Sequence, residues 1–270
     1  MNLAISNIAW QSHEENAIAD LMQQLGIRGV EIAPTKIWSS PLEATYAEIA
    51  EYRQFWRDRN IQIVALQALL YGRPDLTVFE SAKKRQETIA YLSKIVELAA
   101  KIGAKVLVFG SPKNRQVRNL NPQDVEEIAV DFFGKVGEIS DRHGVQFCIE
   151  PNPSVYDCDF INTSSQGLEL VKMVNSPGFG LHLDAAGMTL SEENIESAIA
   201  NSISQVCHFH ISEPYLEPVG TGGVEHSRFA EALRQTNYLG WTSIEMKAQN
   251  LDSNLENVER SLKIALQYYA

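Results

Sequence analysis

Eight short apolar runs, each followed by a polar turn and then a helical pattern, constrain this chain more than any other feature. The runs lie at 3–9, 29–33, 61–69, 105–109, 145–150, 180–184, 206–211 and 241–246. They are rich in Val, Ile, Leu and Phe, the pattern of strands buried on both faces of a parallel sheet. The helical patterns between them carry start signals. Ser40-Pro41-Leu42-Glu43, Ser12 followed by Glu15, Thr163 followed by Gln166, and Ser253 followed by Glu256 fit a capping box, and Asn121 precedes Pro122. Gly26, Gly103, Gly144 and Gly240 sit between a helix and the next strand, where a left-handed residue ends the helix. Strand, loop, helix and glycine thus recur about every 34 residues.

Alternating strands and helices imply a parallel sheet with right-handed crossovers. Eight such units in 270 residues predict an α/β fold of the (β/α)8 TIM-barrel type in a single domain spanning 1–270. An open doubly wound sheet would ordinarily show a glycine-rich phosphate loop after the first strand, and residues 6–12 contain no glycine. Cys148, Cys158 and Cys207 are too few and too irregularly spaced for a disulfide framework or a cysteine zinc site. The N-terminus lacks a basic segment ahead of an apolar stretch, and no run reaches the ~18 apolar residues of a membrane span. The expectation is a soluble cytoplasmic protein without a membrane partner. A formal charge of −11 disfavours nucleic acid, whose phosphates need a basic face.

In such a barrel the chemistry collects at the C-terminal ends of the strands. The polar residues there are Trp10, Glu31, Gln67, Glu150, Asn152, His182, Asp184, His208, His210, Glu245 and Lys247. Four form a set. Glu150, Asp184, His210 and Glu245 end strands five to eight, one per strand, on the inward parity of each. Three carboxylates and an imidazole facing one axis within apolar runs require a cation. The donor set suits one divalent metal ion; its three hard oxygens favour Mn²⁺ or Mg²⁺, with Co²⁺ and Zn²⁺ open. His182 and His208 fall a layer deeper as supporting donors or core histidines. His226 either caps its helix or touches a substrate at the rim. Lys247 either reaches the pocket mouth or pairs with Glu245. Trp10, Trp38 and Tyr71, after the first three strands, offer rings that could stack on a sugar.

The stretches GVEIAP, FCIEPN, GLHLDAAGM, VCHFHISE and the segment 220–247 ending in SIEMK resemble the sugar isomerase/epimerase superfamily with a xylose isomerase-like barrel, which also contains apurinic-site endonucleases. The resemblance covers essentially the whole chain. It places Glu150, Asp184, His210 and Glu245 on that family's four metal ligands, in agreement with the set read from strand ends. It implies an isomerase or epimerase acting by proton transfer beside a carbonyl through an enediolate, with Glu150 and Glu245 as the proton-moving pair. A dehydratase of a keto-sugar or cyclic polyol on the same site, and a metal-containing sugar-binding protein without turnover, are the alternatives. Members that epimerise free ketoses commonly carry His three residues after the Asp ligand and Arg soon after the His ligand. Here Gly187 stands at the first place and no Arg at the second. Gln67 and Ser111 stand where the endonucleases need histidines.

One local inversion of charge stands out. Residues 98–123 hold no Asp or Glu, yet Lys113, Arg115 and Arg118 follow strand four. The loop reads either as a solvated turn whose cations pair with acidic helices or as an anion pocket in which Lys113 and Arg115 grip phosphate or carboxylate and Gly110 admits a close backbone approach; the second reading sets the substrate expectation. The expected partner is therefore a small anionic carbohydrate, a sugar phosphate or sugar acid, contacted by Trp10, Gln67, Lys113, Arg115, His182, His226 and Lys247. A homo-oligomer remains open.

Overall fold

The apolar runs form eight parallel strands that close in sequence order into a barrel, with the eighth hydrogen-bonded back to the first. A computed structural model describes residues 1–250 and 253–270. The strands are β1 Asn2–Ser6, β2 Gly29–Ile32, β3 Gln62–Leu66, β4 Val106–Phe109, β5 Gln146–Ile149, β6 Phe179–Asp184, β7 Val206–Ser212 and β8 Trp241–Glu245. Each sequence run is trimmed at its C-terminal end or nearly kept. Past the barrel's rim a strand has no neighbour to satisfy its backbone, so β1 turns at Ser6 into a short 3-10 turn, Asn7–Ala9.

The helices are α1 Glu15–Gln24, α2 Tyr46–Arg57, α3 Ala82–Ile102, α4 Pro122–Arg142, α5 Ser164–Val174, α6 Ala185–Leu190, α7 Ile195–Ser202, α8 His226–Gln235 and α9 Leu255–Tyr269. Asn121 and Thr163 cap α4 and α5 as expected. Ser40 does not cap a helix: it opens a single 3-10 turn, and the reciprocal capping box is Thr45 with Glu48, six residues before α2's midpoint turn. Asn254, rather than Ser253, precedes α9, and its side chain is spent on the backbone N–H groups of Gln249 and Asn250. Gly26, Gly103 and Gly144 take positive φ, whereas the left-handed residue before β8 is Asn237 instead of Gly240. No helix among the described residues is long and apolar enough to cross a membrane.

Two cores follow from this geometry. The larger lies between barrel and helices, with Trp56, Phe132, Phe133, Phe229 and Tyr269 fully buried. The smaller fills the barrel's lower interior with Ala4, Val64, Ala65, Val106, Val108 and Cys148. Trp241 packs against it; a Cβ at Gly29 would come within 2.5 Å of its ring, so the glycine makes room for the plug. Above these apolar layers the interior turns polar, with Glu31, His182, His208 and His210 all at most 1% exposed. Register shifts fall between Val30 and Glu31 and between Leu181 and His182. Such irregularities re-aim side chains near functional sites, and here each immediately precedes a member of the polar layer.

Candidate metal centre and cavity

Strand pairing brings the four strand-end residues together. Asp184 lies opposite His210 across β6–β7, and Glu245 opposite Ser212 across β7–β8. His210 is the hub. Its Nδ1 faces Glu245 Oε2 at 3.4 Å, Asp184 Oδ2 at 3.9 Å and Glu150 Oε1 at 4.0 Å. Its Nε2 lies 3.0 Å from Glu31 Oε2. The buried carboxylate of Glu31 is placed to accept a hydrogen bond from Nε2–H, with Nδ1 turned toward the three carboxylates, the carboxylate–histidine arrangement that supports metal ligands. Asp184 is fixed from two sides: Gly187 N–H donates to Oδ1 at 2.6 Å and Ser212 Oγ to Oδ2 at 2.5 Å.

Glu150 owes its place to two neighbours. A Cβ on Gly110 would sit 1.7 Å from Glu150 Oε2, so only glycine leaves space for the carboxylate. Arg115 donates to the carbonyls of Glu150 (2.7 Å) and Phe109 (3.3 Å), clamping the ends of β4 and β5 together.

The electrostatics reflect this crowding. Burial, then the charges of Glu245 and Asp184, push the Glu150 carboxyl up to about 8, against the pull of His210 and Arg115. Burial and Glu245 raise Asp184 to about 6. Burial opposes charge on His210, but Glu31 and Glu245 outweigh it and raise this imidazole well above its ordinary value. Burial likewise opposes charge on Glu31, and His210 and His208 outweigh it, holding the carboxyl well below the usual range.

The donor set fits a divalent cation. His210 Nδ1 is buried without a hydrogen-bond partner although three carboxylates face it. Ligand atoms of Glu150, His182, Asp184 and His210 lie within 4.8 Å of one another. Glu245 joins through His210 and opens toward the cavity, while His182 lies fully buried beneath it.

A cavity of about 840 Å³ opens over this centre at the C-terminal end of the barrel and reaches Glu150, Asp184 and Glu245. Of the expected substrate contacts, Gln67 and Lys247 line it. Gln67 donates through Nε2 to Ser6 Oγ, and Lys247 Nζ to the carbonyl of Tyr215 at 3.1 Å. The others do not line it. Trp10 is 1% exposed and packs on Trp56 at 6.5 Å, because β1's turn carries it outward between the helices. His182 is sealed in the polar layer with both ring nitrogens unpartnered. His226 sits between Tyr269 Oη (3.0 Å) and Glu213 Oε1 (3.1 Å) behind the wall.

The anion grip is also overturned. Arg115 is 0% exposed and does not line the cavity; its two terminal nitrogens face backbone carbonyls and Cys158 Sγ, and its unpartnered Nε is buried away from the cavity wall. Lys113 is exposed on the outside of the same turn and does not line the cavity.

Three residues carry weight that the sequence did not reveal. Glu31 appeared only as a polar strand end. Gly110 was read as a backbone feature. Glu213 gathers the loop after β7: it accepts from Gly220 N–H (2.9 Å), Val224 N–H (3.2 Å) and His226. Gly222 makes room for it, since a Cβ there would stand 2.5 Å from Glu213 Oε2. A buried acid two turns from a GTGG stretch was the available signal.

A closed (β/α)8 barrel with a carboxylate–imidazole centre at its C-terminal mouth defines the class. Residues 19–268 match the xylose isomerase-like TIM barrel family, and the chain belongs to it. It is 27% identical over 152 residues to a ketose 3-epimerase of Arthrobacter globiformis, covering 55% of this chain and 52% of that protein. The chain thus spans about half the length of that curated relative. The structure of D-psicose 3-epimerase from Clostridium cellulolyticum H10 with D-tagatose superposes with a TM-score of 0.81 at 18% identity, over 100% of this chain and 98% of the other. The IOLI protein, crystallised with a binding zinc atom, gives 0.78 at 20% identity over 100% and 98%. At these identities the two structures speak for the fold alone.

Proposed function

We propose that the protein is a divalent metal-dependent sugar isomerase or epimerase that moves a proton beside a carbonyl through an enediolate. The observation that carries the reading is the convergence of Glu150, Asp184, Glu245 and the unpartnered Nδ1 of His210 at the floor of a large cavity. These four residues would hold the ion, with Mn²⁺ or Mg²⁺ best matched to three oxygens and Co²⁺ or Zn²⁺ also compatible. When bound, such an ion supplies positive charge where an oxyanion develops.

The protein's own groups supply the proton traffic. Glu150 and Glu245 follow strands three apart in the barrel and both open to the cavity, so they can flank a bound sugar. Carboxylates placed in this way can accept a proton from a carbon and return it. Return to the opposite face of the same carbon gives an epimer, and return to the adjacent carbon gives an isomer. Glu31 holds His210, and Gly187 and Ser212 hold Asp184, so the centre is set before substrate arrives.

The test is solvent-deuterium incorporation at the carbon next to the carbonyl across a panel of ketoses and keto-sugars, with metal-loaded protein. Glu150→Gln and Glu245→Gln should each lower incorporation by at least 100-fold. A protein that binds metal and sugar but exchanges no proton would sink the enzymatic reading, and normal exchange in both variants would sink the two-carboxylate scheme.

A further inference from the structure

Cavities that engulf a ligand of drug size run from about 300 to 1,000 Å³, and the one above this centre, at about 840 Å³, lies toward the upper end. A free hexose has only a dozen non-hydrogen atoms and leaves most of that space to water. The excess room is at the mouth, where the walls become aromatic. Tyr71 and Tyr215 line the cavity yet are 73% and 61% exposed, and Tyr156 stands beside Tyr215 with ring centroids 5.6 Å apart at 68°.

Tyr215 is held there. Its N–H donates to Tyr156 Oη at 2.9 Å. It and Leu216, also in the wall, take left-handed backbone with φ 63° and 61°. Two consecutive non-glycine residues in that region are costly, and such strain persists where it serves a site. Exposed rings fixed at a cavity mouth fit the apolar face of a ring that stacks on them.

The charges on the wall argue against an anion. Among the described residues the cations lining the cavity are Lys36 and Lys247. Lys36 Nζ donates to the Trp10 carbonyl at 2.7 Å, and Lys247 Nζ is shared between the Tyr215 carbonyl and Glu217 Oε1 at 3.4 Å. No arginine or histidine is among the lining residues described.

Building on the proposed proton-transfer reading, we infer that the substrate is a neutral keto-sugar bearing a second ring, such as a keto-disaccharide or an aryl glycoside. The reacting ring lies over Glu150 and Glu245, and the second ring rests on Tyr215 and Tyr156 after β7 and β5 or on Tyr71 after β3, across the mouth. The test compares deuterium incorporation by the metal-loaded full chain into isomaltulose, lactulose and an aryl 3-keto-glucoside with that into D-fructose and fructose 6-phosphate. At least one two-ring sugar should show a kcat/KM tenfold or more above both single-ring sugars. Tyr215→Ala or Tyr71→Ala, according to which wall holds the second ring, should shrink that ratio at least fivefold, mainly through KM. Both rings are exposed, so neither change threatens folding. Exchange into D-fructose or its phosphate that equals or exceeds every two-ring sugar overturns this inference and leaves the proposed function standing. A ratio untouched in both Tyr variants overturns it as well. Absence of exchange into every sugar fails the proposed function, and the inference with it.

Discussion

Gly110→Ala is the sharpest perturbation the structure offers, because it adds a single methyl group and aims it at one atom. The new Cβ would stand 1.7 Å from Glu150 Oε2 and 2.9 Å from Cδ. Real Cβ contacts essentially never fall under 3.0 Å, so one of the two must retreat by more than an ångström. The strand end cannot yield readily: Arg115 ties Phe109 and Glu150 together by their carbonyls, and Glu150 N–H donates to Phe109 O. The carboxylate must therefore swing into the cavity, where Glu150 is already slightly open. A reacting group displaced by about 1 Å can cost on the order of 100-fold in rate. The expected result is a loss of at least 100-fold in kcat/KM for proton exchange, with weaker metal binding and little change in unfolding temperature. Deuterium incorporation, metal titration and thermal unfolding measured on the one variant separate these effects. Activity within threefold of wild type would refute the placement of Glu150. So would a collapse in stability that accounts for the loss by itself.

Three further outcomes are expected. Arg115→Ala should cost about 3 kcal/mol in chemical denaturation, by opening a cavity at a fully buried side chain and removing one of the two donors on each of the carbonyls of Phe109 and Glu150; activity should fall equally on neutral and phosphorylated sugars, and a loss confined to the phosphorylated ones would restore the anion-grip reading. Glu31→Gln should weaken Mn²⁺ binding roughly 10- to 100-fold, because the amide no longer fixes His210 with Nδ1 toward the centre; unchanged affinity counts against the His210–Glu31 pairing. Metal-free protein should lose stability as pH rises from 6 to 8. Glu150, raised to about 8, keeps its proton in the fold after the unfolded chain has released it, which removes about 1.4 kcal/mol per pH unit. His210, also raised, acts in the same direction across this window, whereas Asp184, raised to about 6, exerts its loss mostly below it, and the lowered Glu31 changes stability only below its ordinary carboxyl range. Urea denaturation in EDTA checks this, and stability that rises over that window contradicts it.

The barrel and the four-residue centre were legible because both are written in period. Inward parity and one polar residue per strand end are properties of spacing, and spacing survives into the fold. Arg115 was not legible. A cation after a strand reads the same whether it turns out to a ligand or back to the backbone, and its partners are carbonyls, which carry no mark in the sequence. Trp10 failed for a related reason: the direction of a turn decides whether a ring faces a cavity or a helix, and β1's 3-10 turn sends it to Trp56. Gly110 needed the position of a carboxylate on another strand before its role could be seen. Glu31 needed His210 from across the barrel.

The central claim is that Glu150, Asp184, His210 and Glu245 bind one divalent ion. The test is a titration of Mn²⁺ into the EDTA-stripped 270-residue chain, followed by the free-ion EPR signal. Wild-type chain should bind one Mn²⁺, and Asp184→Asn should lower the affinity at least 100-fold. A free-ion signal undiminished by wild type, or an Asp184→Asn variant that binds as wild type does, would contradict it.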